Sequence, residues 1–86
     1  MRLDKFLSTV RIFKSRSMAS EALSSSMVYL DSLPAKSSKT VSIGSIIEID
    51  TPIFYKKIEV LDLPQKNMRR SEASSLIKIL DERIKD

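Results

Sequence analysis

Cysteine and histidine are both absent from this sequence, and glycine occurs once in 86 residues. Without cysteine there are no disulfides and no thiol nucleophile. Without either residue there is no zinc site of the usual ligand types and no imidazole acid–base chemistry. Carboxylates and lysines remain, but nothing groups them into a recognisable catalytic pair. No catalytic residue, metal or cofactor is therefore assigned, and the chain is expected not to be an enzyme. No apolar run approaches the ~20 residues of a membrane span. Met1-Arg2-Leu3-Asp4-Lys5 is followed by no signal-peptide core, so the expected location is cytoplasmic.

The composition, 42% hydrophobic and 30% charged, suits one ordinary globular domain over residues 1–86. Net charge is +4, and its placement is more informative than its size. Residues 1–40 carry seven basic side chains (Arg2, Lys5, Arg11, Lys14, Arg16, Lys36, Lys39) against three acids, Asp4, Glu21 and Asp31. Residues 41–86 carry eight of each. The whole excess lies in the first half, the footprint of a surface that meets a polyanion, usually nucleic acid. The plainer reading is a solvated charged face.

Hydrophobic periodicity places the elements. Leu3, Phe6, Leu7, Val10 and Phe13 fall within an arc of about 120° on a helix over 3–13, with Ile12 the one apolar residue out of place. Residues 14–17 interrupt the pattern. Ser17 is the expected N-cap of a second helix over 18–24, with Ala19, Ala22 and Leu23 facing inward. Val28-Tyr29-Leu30 reads as a strand, Asp31 to Pro34 as a turn and Lys36 to Lys39 as a polar loop. Gly44 can supply positive φ before the β-branched run 46–49. A further strand spans about 54–61. A loop over 64–70 holds Lys66, Arg69 and Arg70. Ser71 then caps a final helix over 72–84, with Ala73, Leu76, Ile77, Leu80 and Ile84 on one side. The expected fold class is α+β: two N-terminal helices on a small antiparallel sheet, plus a C-terminal helix.

Two charge sources converge between Arg2 and Ser17. Helix one turns basic residues away from its apolar arc, and Lys14 and Arg16 follow in the connector. Beyond them the start of helix two offers unpaired amides and a positive dipole end, which suit phosphate. Guanidinium groups add bidentate hydrogen bonds to phosphate oxygens. The only aromatics here, Phe6 and Phe13, lie on the apolar arc, which favours the backbone of folded RNA over stacking on splayed bases. Tyr29 reads as partly buried core, with base stacking as its alternative.

Met1-Arg2-Leu3-Asp4-Lys5-Phe6-Leu7, Arg11, Lys14-Ser15-Arg16-Ser17, Ala19 and Glu21 resemble the RNA-binding domain named after ribosomal small-subunit protein four, the S-four domain or alpha-L motif. The likeness continues through Val28, Ala35-Lys36, Ser38, Val41 and Gly44 and covers roughly residues 1–50. It implies an RNA-facing edge of Arg2, Lys5, Arg11, Lys14, Ser15 and Arg16, approached by Lys36 and Ser38. Asp4 would orient neighbouring basic side chains. Two stand-alone bacterial groups compare best: the short RqcP ribosome quality-control factors and the fifteen-kilodalton heat-shock RNA-binding proteins. The compact length and Ile79-Leu80-Asp81-Glu82 resemble the first, while Arg69-Arg70-Ser71-Glu72-Ala73 resembles a connector of the second.

The resemblance implies a monomer that binds large-subunit ribosomal RNA and peptidyl-tRNA on stalled particles, in support of an alanine-tailing factor. The alternatives are heat-shock-type recycling of large subunits and a protein-interaction module with an incidental basic face. Several residues depart from the family pattern. Ser25-Ser26 stand where glycine is usual at the end of helix two, Met27 where a basic residue is usual, and Asp31-Ser32 where Asn-Gly is usual. Each non-glycine residue held at positive φ costs on the order of 1 kcal/mol.

Overall fold

Leu3, Phe6, Leu7, Val10 and Phe13 are all buried, so the apolar arc is the wall of the core. The computed structural model describes residues 1–65 and 68–85; Lys66, in the loop expected over 64–70, lies outside them. Helix α1 (Leu3–Thr9) and helix α2 (Arg16–Ser24) lie over a five-stranded antiparallel sheet. The strands are β1 (Val28–Leu30), β2 (Leu33–Pro34), β3 (Ile46–Asp50), β4 (Phe54–Val60) and β5 (Ile77–Ile84), in spatial order β2-β1-β3-β4-β5. Val28, Leu30, Ile47, Ile49, Ile58 and Val60 alternate along their strands and join the helix residues in one core cluster. Burying each such side chain stabilises by about 1.5–3 kcal/mol.

Both helices end in the same way, and α1 ends earlier than periodicity suggests. The Arg11 amide bonds the Ser8 carbonyl at 3.2 Å and the Ile12 amide bonds Leu7 at 3.0 Å, with Arg11 at φ 65. That is a Schellman motif, in which one left-handed residue reverses the chain and satisfies the last carbonyls. Ile12 looked misplaced on a helix over 3–13 because the helix has already stopped. It is partly buried and packs on the core from the far side of the reversal. In α2 the Ser26 amide bonds Leu23 at 3.2 Å and the Met27 amide bonds Ala22 at 3.0 Å, with Ser26 at φ 60.

The β1–β2 connection is a two-residue turn with Asp31 at φ 49 and Ser32 at φ 70. That is the type I′ signature matching the twist of a hairpin. Thus serine and aspartate stand in the left-handed conformations where the family usually has glycine or asparagine, and the turn geometry is kept. Gly44, at φ 90, has nothing within 4 Å of the point a Cβ would occupy, so backbone conformation rather than crowding favours glycine there.

The C-terminal helix expected over 72–84 is not formed. A 3-10 helix spans Arg70–Leu76, with no side-chain cap from Arg69 and none from Ser71, and β5 follows at once. β5 pairs along the whole of β4, from Phe54↔Ile84 to Val60↔Ile77, with a bulge near Lys57/Ile58. The Ile77-Lys78-Ile79 alternation fits a strand as well as a helix face. The open edge of β4 decides between them by offering a ladder of backbone partners. Lys56 meets Glu82 at 3.2 Å, and the Arg83 guanidinium lies 4.7 Å from the Tyr55 ring centre. The Tyr55 hydroxyl donates to Glu48 at 2.7 Å, a bond that heads the causes pushing its pKa up to about 12.

Candidate nucleic-acid interface

Arg2 precedes α1 in extended backbone and cannot cap it, so the first amides of the helix find other acceptors. Leu3 donates to the Lys39 carbonyl at 2.8 Å and Asp4 to the Ser37 carbonyl at 3.3 Å. The Lys5 amide donates to the Asp4 carboxylate at 2.8 Å. An isolated bridge joins Arg2 to Thr40. The polar loop over 36–39 is therefore fastened to the amino end of α1, and this brings Lys36 and Ser38 beside Arg2.

Helix α2 starts two residues earlier than expected, and its N-cap is Ser15 rather than Ser17. The Ser15 hydroxyl oxygen accepts the Met18 amide at 3.2 Å. Arg16 consequently stands in the first turn of the helix instead of the connector. Ser15, assigned to the RNA-facing edge, spends that lone pair on the cap, while its hydroxyl proton points to no protein acceptor among the described residues.

Asp4 joins the parts. Its side chain is 4% exposed, and it accepts from Arg2 Nε at 3.3 Å, Arg16 Nε at 3.2 Å and the Ser20 hydroxyl at 3.1 Å. Burial by itself pushes this carboxyl up, but the hydrogen bonds from Arg16, Arg2, the Lys5 amide and Ser20 together outweigh it. The pKa is held down at about 2. The two arginines remain half exposed, at 54% and 50%. One carboxylate takes Nε and Nη2 of Arg2 and Nε of Arg16, which pins both side chains and leaves the remaining guanidinium nitrogens toward solvent. The expected orienting role of Asp4 has this physical form.

All eight residues assigned to the RNA-facing edge are exposed. Arg2 and Arg16 meet at Asp4, and Arg2, Lys36 and Ser38 line one cleft of about 510 Å³. Lys5 lies on α1, and Arg11 occupies the left-handed position that ends it. Lys14 lines a different, largely apolar groove of about 510 Å³ with Ile12, Phe13, Met18, Ile53 and Phe54. Met27 is partly buried against the core and lines that groove too. Tyr29 is partly buried, in register with Pro34 and Glu48.

Sequence reasoning missed Ser20, which lies four residues after Arg16 and so on the same face of α2. That spacing was the available signal. The backbone fastening by Ser37, Lys39 and Thr40 had none, since it depends on tertiary contacts. Among the described residues no cluster of side chains could hold a metal ion, and no helix is long and apolar enough to cross a membrane.

No family profile matches the chain. It is 33% identical over 73 residues to the RQC P-site tRNA stabilizing factor of Helicobacter pylori strain J99, covering 84% of this chain and 87% of that one. The chain belongs to the S-four, or alpha-L, RNA-binding family. A second S-four relative, the RQC P-site tRNA stabilizing factor of Streptococcus pneumoniae, is 28% identical over 95% of this chain and 92% of its own length. The heat shock protein 15 homolog of Haemophilus influenzae is 29% identical over 99% of this chain, which spans 65% of that longer protein. In three dimensions the S-four fold here matches the trimeric structure of Vibrio cholerae heat shock protein 15. The TM-score is 0.81 at 30% identity, over 92% of this chain and 80% of that one.

Proposed function

We propose that this chain binds structured RNA through Arg2, Lys5, Arg11, Lys14, Ser15 and Arg16, with Lys36 and Ser38 at the border. It acts as a bacterial ribosome quality-control factor. The observation that carries the reading is the pinned arginine pair. Burying a carboxylate is costly unless it is well paired, and here the pairing fixes two guanidinium groups at one exposed corner. A pre-placed pair of this kind suits phosphate oxygens on a rigid RNA, because ordering entropy is lost in advance. The names of the relatives supply the setting, a P-site tRNA on a ribosomal particle.

On this reading the chain is a monomeric, cytoplasmic, non-enzymatic factor. It contacts peptidyl-tRNA and large-subunit ribosomal RNA and supports alanine tailing of stalled nascent chains by a partner. Sucrose-gradient sedimentation should place it on large subunits bearing peptidyl-tRNA, with alanine tails lost when the gene is deleted. Recovery only among free proteins counts against the reading. Replacing Arg16 or Arg2 by alanine should weaken RNA binding and leave the chain folded though less stable, since the buried Asp4 loses a partner. Unchanged affinity in a folded double variant would show the surface to be elsewhere.

A heat-shock-type recycling role is the second reading, favoured by the 99% coverage of this chain in the Haemophilus alignment. Alanine tailing that persists after deletion of the gene, with the protein still on large subunits, selects it.

A further inference from the structure

The cleft that begins at Arg2 continues past the residues assigned to the RNA edge. One wall is the carboxyl end of α2, with Ser24 and Ser26, and the other is the fastened loop, with Lys36, Ser37 and Ser38. Leu23 and Ala35 form its apolar floor, and no carboxylate lines it. The two walls differ in kind. Arg2 and Lys36 supply positive charge on the loop side. The end of α2 carries the negative pole of the helix and does not suit a phosphate. A hydroxyl group fits that side. The Ser24 hydroxyl donates to the Glu21 carbonyl at 2.9 Å, which leaves its lone pairs as acceptors. The Ser26, Ser37 and Ser38 hydroxyls make no hydrogen bond with the described residues. Cations on the loop wall, with the Ser37 and Ser38 hydroxyls beside them, face the Ser24 acceptor and the Ser26 hydroxyl on the other wall. This matches one step of an RNA strand, phosphate at the cations and ribose among the serines.

We propose that this cleft is a ribose–phosphate subsite, in which Arg2 and Lys36 take the phosphate and the serines of both walls read the 2′-hydroxyl. The proposal rests on the RNA-binding reading above and deepens it, making Ser24, Ser26 and Ser37 contributors to selection of RNA over DNA. The 2′-hydroxyl is the group by which a protein distinguishes the two at a given site. The serine at position 26 has a double role. Glycine would suit the backbone better there, whereas serine places a hydroxyl at the mouth of the cleft.

The test uses an RNA hairpin and its fully 2′-fluoro counterpart of the same sequence, which keeps A-form geometry and lacks the hydroxyl donor. The protein should bind the hydroxyl form more tightly by about 2- to 10-fold, the range of one net hydrogen bond. The double variant Ser26→Gly/Ser37→Ala should bind both hairpins alike, at the affinity the unaltered protein has for the fluoro form. Its circular dichroism and melting should show an intact fold. Lys36→Gln should weaken both hairpins by the same factor, because the phosphate is common to them. Equal binding of the two hairpins by the unaltered protein, or discrimination that survives in the double variant, overturns the subsite and leaves RNA binding standing. Failure to bind either hairpin at low salt removes the RNA-binding reading and the subsite together.

Discussion

Among the described residues four that are not glycine, Arg11, Ser26, Asp31 and Ser32, hold positive φ, in a chain with one glycine. Their backbone hydrogen bonds show why the conformation persists: each stands where a helix or hairpin must reverse. Asp31 adds compensation, since its carboxylate accepts the Ile46 amide at 2.9 Å. Ser26 has no such bond. Ser26→Gly is therefore expected to raise stability by about 0.5–1 kcal/mol, the left-handed penalty less the added freedom of the unfolded chain. Urea denaturation measures this, and a lower midpoint would show that the serine side chain contributes more than it costs. Leu7 sits at 0% exposure against α2 and the sheet, so Leu7→Ala should lose about 2–5 kcal/mol through the cavity it leaves.

Asp4 makes a different prediction. Its folded pKa, at about 2, lies below the value near 3.8 that an ordinary aspartate has. A depressed acid contributes stability that is fully present above the unfolded value. That contribution is lost as pH falls from about 4 through about 2. Melting temperature across this window should fall less steeply for Asp4→Asn, which cannot titrate, than for the unaltered protein. At neutral pH the same variant should be less stable, because two arginines lose their shared carboxylate. Parallel acid profiles for the two proteins would show that Asp4 is not the group involved.

At the level of elements, the chain was legible as far as β4, and the segment after it was not. The arc from Leu3 to Phe13 identified the buried face of α1, and β1, β3 and β4 followed from short β-branched runs. The stop of α1 and the start of α2 shifted by a few residues, while the start of α1 at Leu3 and the end of α2 at Ser24 stand as read. Arg11 and Ser26 carry no outward sign of a left-handed residue, and two serines competed for one cap. β5 was missed outright, because residues 77–84 fit a helix stripe locally and become a strand only through distant pairing with 54–60. The candidate site divided likewise. Its cations were visible as charge placement, while the joining of Arg2 to Arg16 through Asp4 required the packing of two helices.

Hydrogen exchange distinguishes the two fates of the C-terminal segment. A helix protects consecutive amides after its first turn. An edge strand protects only those amides that face its neighbour, alternating along the chain. Residues 77–84 should accordingly show alternating protection, with a break at the bulge near Leu80, which lies between the paired residues Ile79 and Asp81. Uninterrupted protection over 77–84 would contradict β5.

Across the whole molecule, charge is sorted by position. The acids and bases of the second half answer one another on the sheet: Lys56 with Glu82, Arg83 with Asp81, and Lys85 with Asp50. The seven cations of the first half have one internal carboxylate between them among the described residues, Asp4, and it orients Arg2 and Arg16 instead of withdrawing them from solvent. The excess of +4 is consequently carried on the helix-and-loop side. Lys or Arg side chains that neutralise RNA phosphates release condensed counterions, and affinity then falls with salt at a slope of about −0.7 to −0.9 per phosphate neutralised. With Arg2, Arg16 and Lys36 as the central contacts, three to five neutralised phosphates imply a slope of roughly −2 to −4 in a plot of log affinity against log salt. Arg2→Gln/Arg16→Gln should reduce that slope by about 2, weakening binding most at low salt. Filter binding of a structured RNA at several salt concentrations measures both values. A flat dependence in the unaltered protein would assign the basic face to solvent, and the apolar groove beside Lys14 would then become the better candidate for a partner.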